Sequence, residues 1–264
     1  MRGKAKKEIS EEKIARDTLE RYSGSPFNEF QPLILLTNFP HYVDHFSVLY
    51  DAKVYEGSLM KVCHSKSRGI SIVDHKVGSP AAALAVDLMS FVSPRACLML
   101  GMCGGLRKRY QIGEYFLPIA AIRGEGTSDF YLPANVPAMA NFTIQKALAE
   151  VLEAEGTGFH VGITHSTNIR FWEFDQDFKI RLLEEKVQAI EMECATLFAA
   201  GYKRKVSIGA LLLISDKPLK PSGIKTKASS HRIAGRYTDE HIKLGIKVLE
   251  NIRTTKSGLY LGKV

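Results

Sequence analysis

The sequence predicts an α/β fold in which a three-layer α/β/α sandwich surrounds a mixed central β-sheet. Residues 96–100 and 208–214 form nearly continuous apolar runs, which are typical of strands covered on both faces. Segments with apolar residues at helical spacing alternate with such strands, as this class requires. With 264 residues, 45% of them hydrophobic, the chain is long enough to bury the core of one such domain.

Other short apolar segments are the remaining predicted strands of this sheet. They lie at 33–37, 60–63, 70–73, 115–122, 159–164 and 188–191. The first of them follows a mixed-charge helix predicted at 8–21, which the segment Ser23-Gly24-Ser25-Pro26 ends.

The predicted helices between the strands have recognisable starts and stops. Ser79 is expected to cap a helix that has Pro80 at its first position and continues to Met89. Apolar residues at helical spacing predict a helix at 144–152, and Gly156 is its expected stop. Two more helices are predicted, one around 178–183 and one that begins at a Thr238 cap and continues beyond Leu249.

The composition excludes several classes of protein. No run approaches the roughly 18 apolar residues that span a bilayer, and the basic segment 1–7 lacks the apolar stretch of a secretory signal. The four cysteines have no CxxC spacing, which is typical of reduced thiols. We therefore expect a cytoplasmic protein that contacts no membrane and holds no metal or cofactor.

The net charge of +8 favours an anionic partner, either a nucleic acid or a phosphorylated small molecule. Plain solubility explains the charge equally well. The sequence has neither zinc-finger spacing nor the interleaved aromatic and basic residues typical of RNA-binding proteins. We therefore expect no nucleic-acid partner.

Glycines directly after the strand at 96–100 predict a turn that approaches a ligand. In the segment 101–106, Gly101 and Gly104 flank Cys103, and glycine lets the backbone bend sharply and present its amide groups to oxygen atoms. On its own, a glycine pair after a strand is more often a structural turn.

Two carboxylates follow predicted strands. Glu193 lies where a strand passes into a helix, and a carboxylate can accept both hydrogen bonds of a vicinal diol such as that of ribose. Asp216 and Ser215 end a buried strand, where α/β sheets place ligands, and partial burial would help the acid to keep a proton. Taken singly, each residue also has a purely structural explanation: Glu193 as a carboxylate that favours the start of a helix, and Asp216 as the cap of a helix or turn.

Together these segments resemble the nucleoside phosphorylase superfamily, from about Pro32 to Arg253, with residues 113–118 similar to another stretch of that family. The resemblance implies that Met192 and Glu193 bind ribose and that Asp216 protonates a purine at N7. It also implies that His41 reaches the 5′ end of the ribose in a neighbouring subunit, so we expect a homo-oligomer, with a hexamer favoured. The chain then divides into a basic N-terminal arm, residues 1–28, and a phosphorylase-like catalytic domain, residues 29–264.

Three longer strings, at 121–129, 162–173 and 223–230, are similar to the catalytic domain of the AMP nucleosidase family, whose members hydrolyse AMP to adenine and ribose 5-phosphate. The resemblance implies that Phe171 or Trp172 stacks on the adenine. The 5′-phosphate is expected to meet several cations in these and neighbouring segments. The candidates are His41, Arg68, Arg123, Arg170, Lys225 and Lys227.

The chain departs from the phosphorylases at the positions that hold inorganic phosphate. Met99 and Met102 stand where those enzymes have an arginine and a serine or threonine, and methionine donates no hydrogen bond. Water is therefore the expected nucleophile, with Glu125 and Asp44 as candidate general bases. Lys76 stands where the family commonly has glycine, which leaves the shape of that loop open.

Two other kinds of function remain open from the sequence. One is phosphorolysis, or nucleosidase action of the methylthioadenosine type, on a nucleoside without a phosphate. The other is binding without catalysis, to nucleic acid or to a nucleotide. Because only residues 1–28 precede the predicted catalytic domain, we also expect none of the control by ATP or phosphate that an extra N-terminal domain gives longer AMP nucleosidases.

Overall fold

The computed structural model describes residues 10–254, apart from the side chains of Pro221 and Thr254, so the basic segment 1–7 lies outside the described residues. The strands of this part are β1 Leu33–Thr37, β2 Val54–Glu56, β3 Lys61–Ser65, β4 Ile70–Asp74, β5 Ala96–Gly105, β6 Tyr115–Gly124, β7 Ala138–Met139, β8 Phe159–Thr167, β9 Ala189–Glu191 and β10 Ile208–Asp216. The α-helices are α1 Glu11–Ser23, α2 Pro40–Tyr50, α3 Ser79–Val92, α4 Phe142–Ala154, α5 Gln176–Glu184, α6 Cys194–Arg204 and α7 Lys227–Thr254.

The strands form one mixed sheet in the order β10-β6-β8-β9-β5-β1-β4-β3-β2, with β7 beside β6. Strand β10 pairs in parallel with β5 and antiparallel with β6, so this part of the sheet closes on itself. The register brings strand ends together, because Asp216 lies opposite Gly104 and Gly104 lies opposite Ile190. The predicted mixed sheet is thus confirmed, and its closed half gathers the candidate site residues.

Helices cover both faces of the sheet and give the three predicted layers. One apolar core joins the sheet to α1, α3 and α6, and a second core joins its other face to α2, α4 and α7. Residues such as Leu19, Phe46 and Phe198 are almost fully buried in these cores, and each such side chain contributes about 1.5–3 kcal/mol. The described part of the predicted N-terminal arm therefore packs against the main domain through α1.

The segment 101–105 is not the predicted turn, because β5 continues through it as a strand. It stays paired with β10 up to Gly104. A Cβ atom on Gly104 would lie 2.8 Å from Pro218, and one on Gly105 would lie 2.9 Å from Ile214. These glycines are needed because neighbouring side chains pack directly on the strand.

Two predicted helix starts differ in the structure, and one helix was not predicted. The N-cap of α3 is Gly78, and Ser79 is its first helical residue, whose hydroxyl donates to the carbonyl oxygen of Met192 at 2.6 Å. Thr238 lies inside α7, which begins eleven residues earlier, at Lys227. Helix α2 was not predicted, because its aromatic and β-branched residues are poor helix formers, although Pro40 at its start was a signal.

Among residues 10–254, no helix combines the length and apolar character needed to cross a membrane.

Candidate active site

A cavity of about 420 Å³ opens where β5, β9 and β10 end. Its wall includes the backbone around Gly104 and the segment 190–193, and Asp216 faces Lys225 and Arg170 across it. Cavities of this size hold small ligands, and this one combines apolar wall with a few charged groups.

Asp216 is held as a protonatable acid. The Ser215 hydroxyl donates to Asp216 Oδ1 at 2.6 Å. Burial raises the pKa of the Asp216 carboxyl above its usual range, and the negative charge of Glu173 acts in the same direction, while Lys225 opposes both. A raised pKa brings the acid closer to neutrality, where it can give a proton to a ligand atom.

Lys225 places a cation beside this acid. Its ammonium Nζ lies 3.3 Å from Ser215 Oγ and 3.3 Å from Met102 Sδ. Burial lowers the pKa of Lys225, and the nearby Asp216 partly offsets that effect. The three polar groups therefore form a short chain from Lys225 through Ser215 to Asp216.

Glu193 is a second carboxylate with an altered pKa. Its Oε1 accepts a hydrogen bond from the Gly78 backbone amide at 2.7 Å, and the side chain is only 3% exposed. Burial, together with the negative charge of Glu191, raises the pKa of Glu193 to about 7. The loop that supplies Gly78 contains Lys76, which adopts φ 69° and donates to Asp74 through both its backbone and its side chain. The shape of this loop, which the sequence left open, therefore includes a left-handed backbone conformation at Lys76, where the family commonly has glycine.

Glu191 positions this segment, and sequence reasoning missed it. Its carboxylate accepts the backbone amides of Glu193 and Cys194, each at 2.7 Å, and the Ser166 hydroxyl. Burial raises its pKa, whereas these three donors favour the charged form. The pKa values of both glutamates are thus raised by burial, and each carboxylate is held by hydrogen-bond donors from its surroundings. The signal was present in the sequence, since Glu191 stands two residues before Glu193 at a strand end.

The 3₁₀ turn Trp172–Phe174 forms another part of the wall. Trp172 is 5% exposed and packs in an apolar cluster with Phe178 and Ile190. Glu173 is equally buried, and one of its carboxylate oxygens accepts from Arg170 Nη1 at 3.1 Å. Both the apolar wall and an ion pair thus come from one short turn.

The family model of the phosphorylase superfamily matches residues 22–248. The chain belongs to the phosphorylase superfamily. It is similar to a solved structure of AMP nucleosidase from Bacteroides thetaiotaomicron VPI-5482, with 37% sequence identity and a TM-score of 0.81. The match covers 93% of this chain and 99% of that chain. The AMP nucleosidase of Escherichia coli K12 is 28% identical over 93% of this chain, which spans 60% of that enzyme's length. A uridine phosphorylase structure from Vibrio fischeri shares the fold, with a TM-score of 0.77 at 18% identity.

Most of the predicted site residues of this phosphorylase superfamily member meet in the cavity. They are Met192, Glu193, Cys103, Gly104, Ser215, Asp216, Arg170, Trp172, Lys225 and Lys227. Gly101 does not line it, because it lies within β5 opposite Leu212. Phe171 is 72% exposed and outside the cavity wall, so of these two aromatic residues Trp172 is the one that lines the cavity within one chain.

Two predicted phosphate ligands lie away from the cavity within one chain. Arg68 pairs with Glu250 of α7 at 3.1 Å. His41 lines a second cavity of about 760 Å³ between α2 and α7, and Phe39 and Ser230 border both cavities. Burial lowers the pKa of His41, and its Nε2 has no hydrogen-bond partner among the described residues.

Arg123 was expected to bind phosphate, and the structure contradicts this. Its guanidinium donates to Ser128 Oγ at 2.9 Å, to Asp129 Oδ1 at 2.7 Å and to three carbonyl oxygens of the segment 132–136. Because a guanidinium has five N–H groups, all its donors are occupied. Arg123 therefore closes the loop after β6 instead of meeting a ligand.

The expected consequence is that Arg123→Ala destabilises the fold by about 2 kcal/mol, because the buried Ser128 and the carbonyl oxygens of residues 132–136 lose their charged donor. Chemical denaturation measures this loss, and a titration of ligand binding below the melting temperature should give wild-type affinity. Weakened binding without a loss of stability would contradict the structural role.

Neither candidate general base lies in the cavity. Glu125 accepts the Ser128 amide at 3.1 Å and does not line the wall. Asp44 borders the second cavity and pairs with Lys61 at 2.5 Å. Within one chain, neither of these two carboxylates is in position to activate a water molecule in this cavity.

Proposed function

We propose that this protein hydrolyses the N-glycosidic bond of AMP, giving adenine and ribose 5-phosphate. The observation that carries the proposal is that Asp216 and Glu193, two carboxyl groups with raised pKa, face one cavity. One can protonate a purine and the other can accept a ribose diol. The extended similarity to AMP nucleosidases points to the same substrate.

In the proposed reaction Asp216 gives its proton to N7 of the purine as the C1′–N9 bond breaks. The bonding electrons pass to the base, and the positive charge passes to the sugar as an oxocarbenium ion. Glu193 accepts hydrogen bonds from the 2′ and 3′ hydroxyls, and Met192 contacts the sugar face. Proton transfer of this kind is typically worth about 10²–10⁴ in rate.

Water attacks C1′ in this proposal, and the proton that it loses as the new C–O bond forms returns through solvent to the Asp216 carboxylate, which restores the acid. Met102 lines the cavity and Met99 is 1% exposed in the core, so neither of these two positions supplies a donor to inorganic phosphate. A phosphate dianion at these positions would lose hydration that the two methionine side chains do not replace. Water has no such cost.

The 5′-phosphate is proposed to lie near Lys225 and Lys227, with cations such as His41 and Arg68 supplied by a neighbouring copy. Support for this comes from His41, which lines the second cavity and not the first, while Phe39 lines both. We therefore propose a homo-oligomer, with a hexamer favoured, and a role in purine salvage in the cytoplasm.

The decisive experiment incubates the protein with AMP or adenosine, each with and without inorganic phosphate, and identifies the products by chromatography. Adenine and ribose 5-phosphate from AMP alone are expected. A requirement for inorganic phosphate, with a sugar 1-phosphate as product, would show phosphorolysis instead. Cleavage of adenosine but not of AMP would overturn AMP as the proposed substrate.

Lys227→Ala should raise KM for AMP about tenfold and leave KM for adenosine unchanged, because a charged hydrogen bond to the phosphate is lost. Steady-state kinetics on both substrates give this difference. Lys220→Ala is the matched control, since Lys220 is exposed and does not line the cavity. An equal change on both substrates would remove Lys227 from the phosphate site.

A further inference from the structure

Glu173 is a buried charge at the cavity that the proposed chemistry does not use. It lines the wall with 5% of its surface exposed. Its Oε1 accepts from Arg170, whereas Oε2 is buried and has no hydrogen-bond partner among the described residues. Leaving a carboxylate oxygen unpaired is costly, and such groups in native proteins usually meet a donor. At the wall of a ligand cavity, that donor is expected on the ligand.

The position of Glu173 relative to Asp216 limits which ligand atom this is. The two carboxyl groups line the same wall and are close enough for the charge of Glu173 to act on Asp216. If Asp216 meets N7 of a purine, the substituent at position 6 lies next along the same edge of the base. With a base in that orientation, Glu173 would be the next acceptor along the wall from Asp216.

The chemistry at position 6 separates the two common classes of purine. Adenine carries an amino group there, which donates hydrogen bonds, whereas hypoxanthine and guanine carry an oxygen, which only accepts. A carboxylate oxygen offers lone pairs and no N–H group, so it accepts hydrogen bonds, and Glu173 already accepts one from Arg170 at 3.1 Å. An amino group is therefore attracted to Glu173, and an oxygen is repelled.

We propose that Glu173 selects 6-aminopurines, its Oε2 accepting a hydrogen bond from the exocyclic amino group of the base. This inference rests on the proposed function and adds the group that distinguishes AMP from IMP. Sites built to bond a polar group reject analogues that lack it far more strongly than apolar pockets do. Trp172, directly before Glu173, provides the apolar wall for the ring in the same turn.

The test compares AMP with IMP for the wild type and Glu173→Gln. The amide keeps the size of the side chain but can also donate to an oxygen at position 6. We expect the ratio of kcat/KM for AMP to that for IMP to fall by roughly 10- to 100-fold. Glu184→Gln, at an exposed position of α5, is the matched control and should leave the ratio unchanged. An equal loss on both nucleotides would mean that Glu173 only holds Arg170, and would overturn the proposal.

Binding of the free bases keeps the test independent of catalysis and of the variant's folding. Calorimetry on the wild type should show adenine binding at least about tenfold more tightly than hypoxanthine. Equal affinities would overturn the selection by Glu173. If the wild type instead cleaves neither nucleotide but prefers adenine in this assay, the proposed function fails and the base selection stands.

Discussion

Asp216→Asn should lower kcat for adenine release from AMP by about 10²–10⁴-fold, the typical contribution of general acid catalysis. Asparagine has nearly the same shape and keeps an acceptor for the Ser215 hydroxyl, which lies 2.6 Å from the carboxylate. It has no acidic proton to give to N7. The loss is therefore expected in kcat, because binding contacts and packing change little.

A second substrate separates this role from a structural one. The second substrate is a ribofuranoside 5-phosphate whose leaving group, 4-nitrophenolate, departs without protonation. Asp216→Asn should therefore cleave it at close to the wild-type rate. Asp177→Asn, in the exposed part of α5, is the control for changing an aspartate. Near-normal adenine release by Asp216→Asn, or an equal loss on both substrates, would rule out proton donation by this residue.

The pH profile gives an independent measure of the same proton. The pKa of Asp216 is raised because burial disfavours its charged form, so the protonated acid persists to higher pH than in water. Activity is therefore expected to fall as pH rises above that pKa, and the Asn variant should lack this limb. The raised pKa also means that ionising Asp216 costs stability, which is the opposite of an aspartate held by a salt bridge.

The parts of this site that the sequence predicts are those set by neighbours in the chain. Asp216 and Ser215 end an apolar strand, and Glu193 follows another, so their placement depends on strand ends that the hydrophobic pattern reveals. The fold class follows from the same pattern. The segment after residue 100 was misjudged because glycine suggests a turn, whereas here it admits side chains from Pro218 and Ile214.

Cations and buried acids were harder to place, because their roles depend on contacts made after folding. Arg123 and Lys225 look alike as candidate phosphate ligands in the sequence. They differ only after folding, when the loop through residues 128–136 returns to Arg123 and occupies every one of its donors. Glu173 stood within a recognised string, but nothing local indicates that one of its oxygens is buried without a partner.

Glu193→Gln should reduce activity and increase stability at alkaline pH. The amide keeps one acceptor for the Gly78 amide but loses the negative charge and one acceptor for the ribose diol. Hydrogen bonds to charged groups contribute about 1.5–3 kcal/mol, so kcat/KM for AMP should fall by about 10²-fold. Steady-state kinetics measure this loss, and Glu184→Gln should show none.

The expected gain in stability follows from the direction of the pKa shift. The folded protein raises the pKa of Glu193 from 4.5 to about 7, so it binds more protons than the unfolded chain between these values. The stabilisation from this group is full below pH 4.5 and is lost as pH rises through 7. Above pH 7 a buried charge remains beside Glu191, at a cost of up to about 3 kcal/mol.

Glutamine removes that cost because it cannot ionise. Asn38 now hydrogen-bonds the Glu193 side chain, and its Oδ1, which has no partner among the described residues, can accept from the new amide group if the Asn38 amide turns over. The melting temperature of Glu193→Gln should therefore exceed that of the wild type by about 5 °C or more at pH 8, and the difference should shrink towards pH 5. Calorimetry at both pH values measures it. A gain independent of pH would come from packing, whereas a gain confined to high pH means that the ribose-binding charge is kept at the expense of stability.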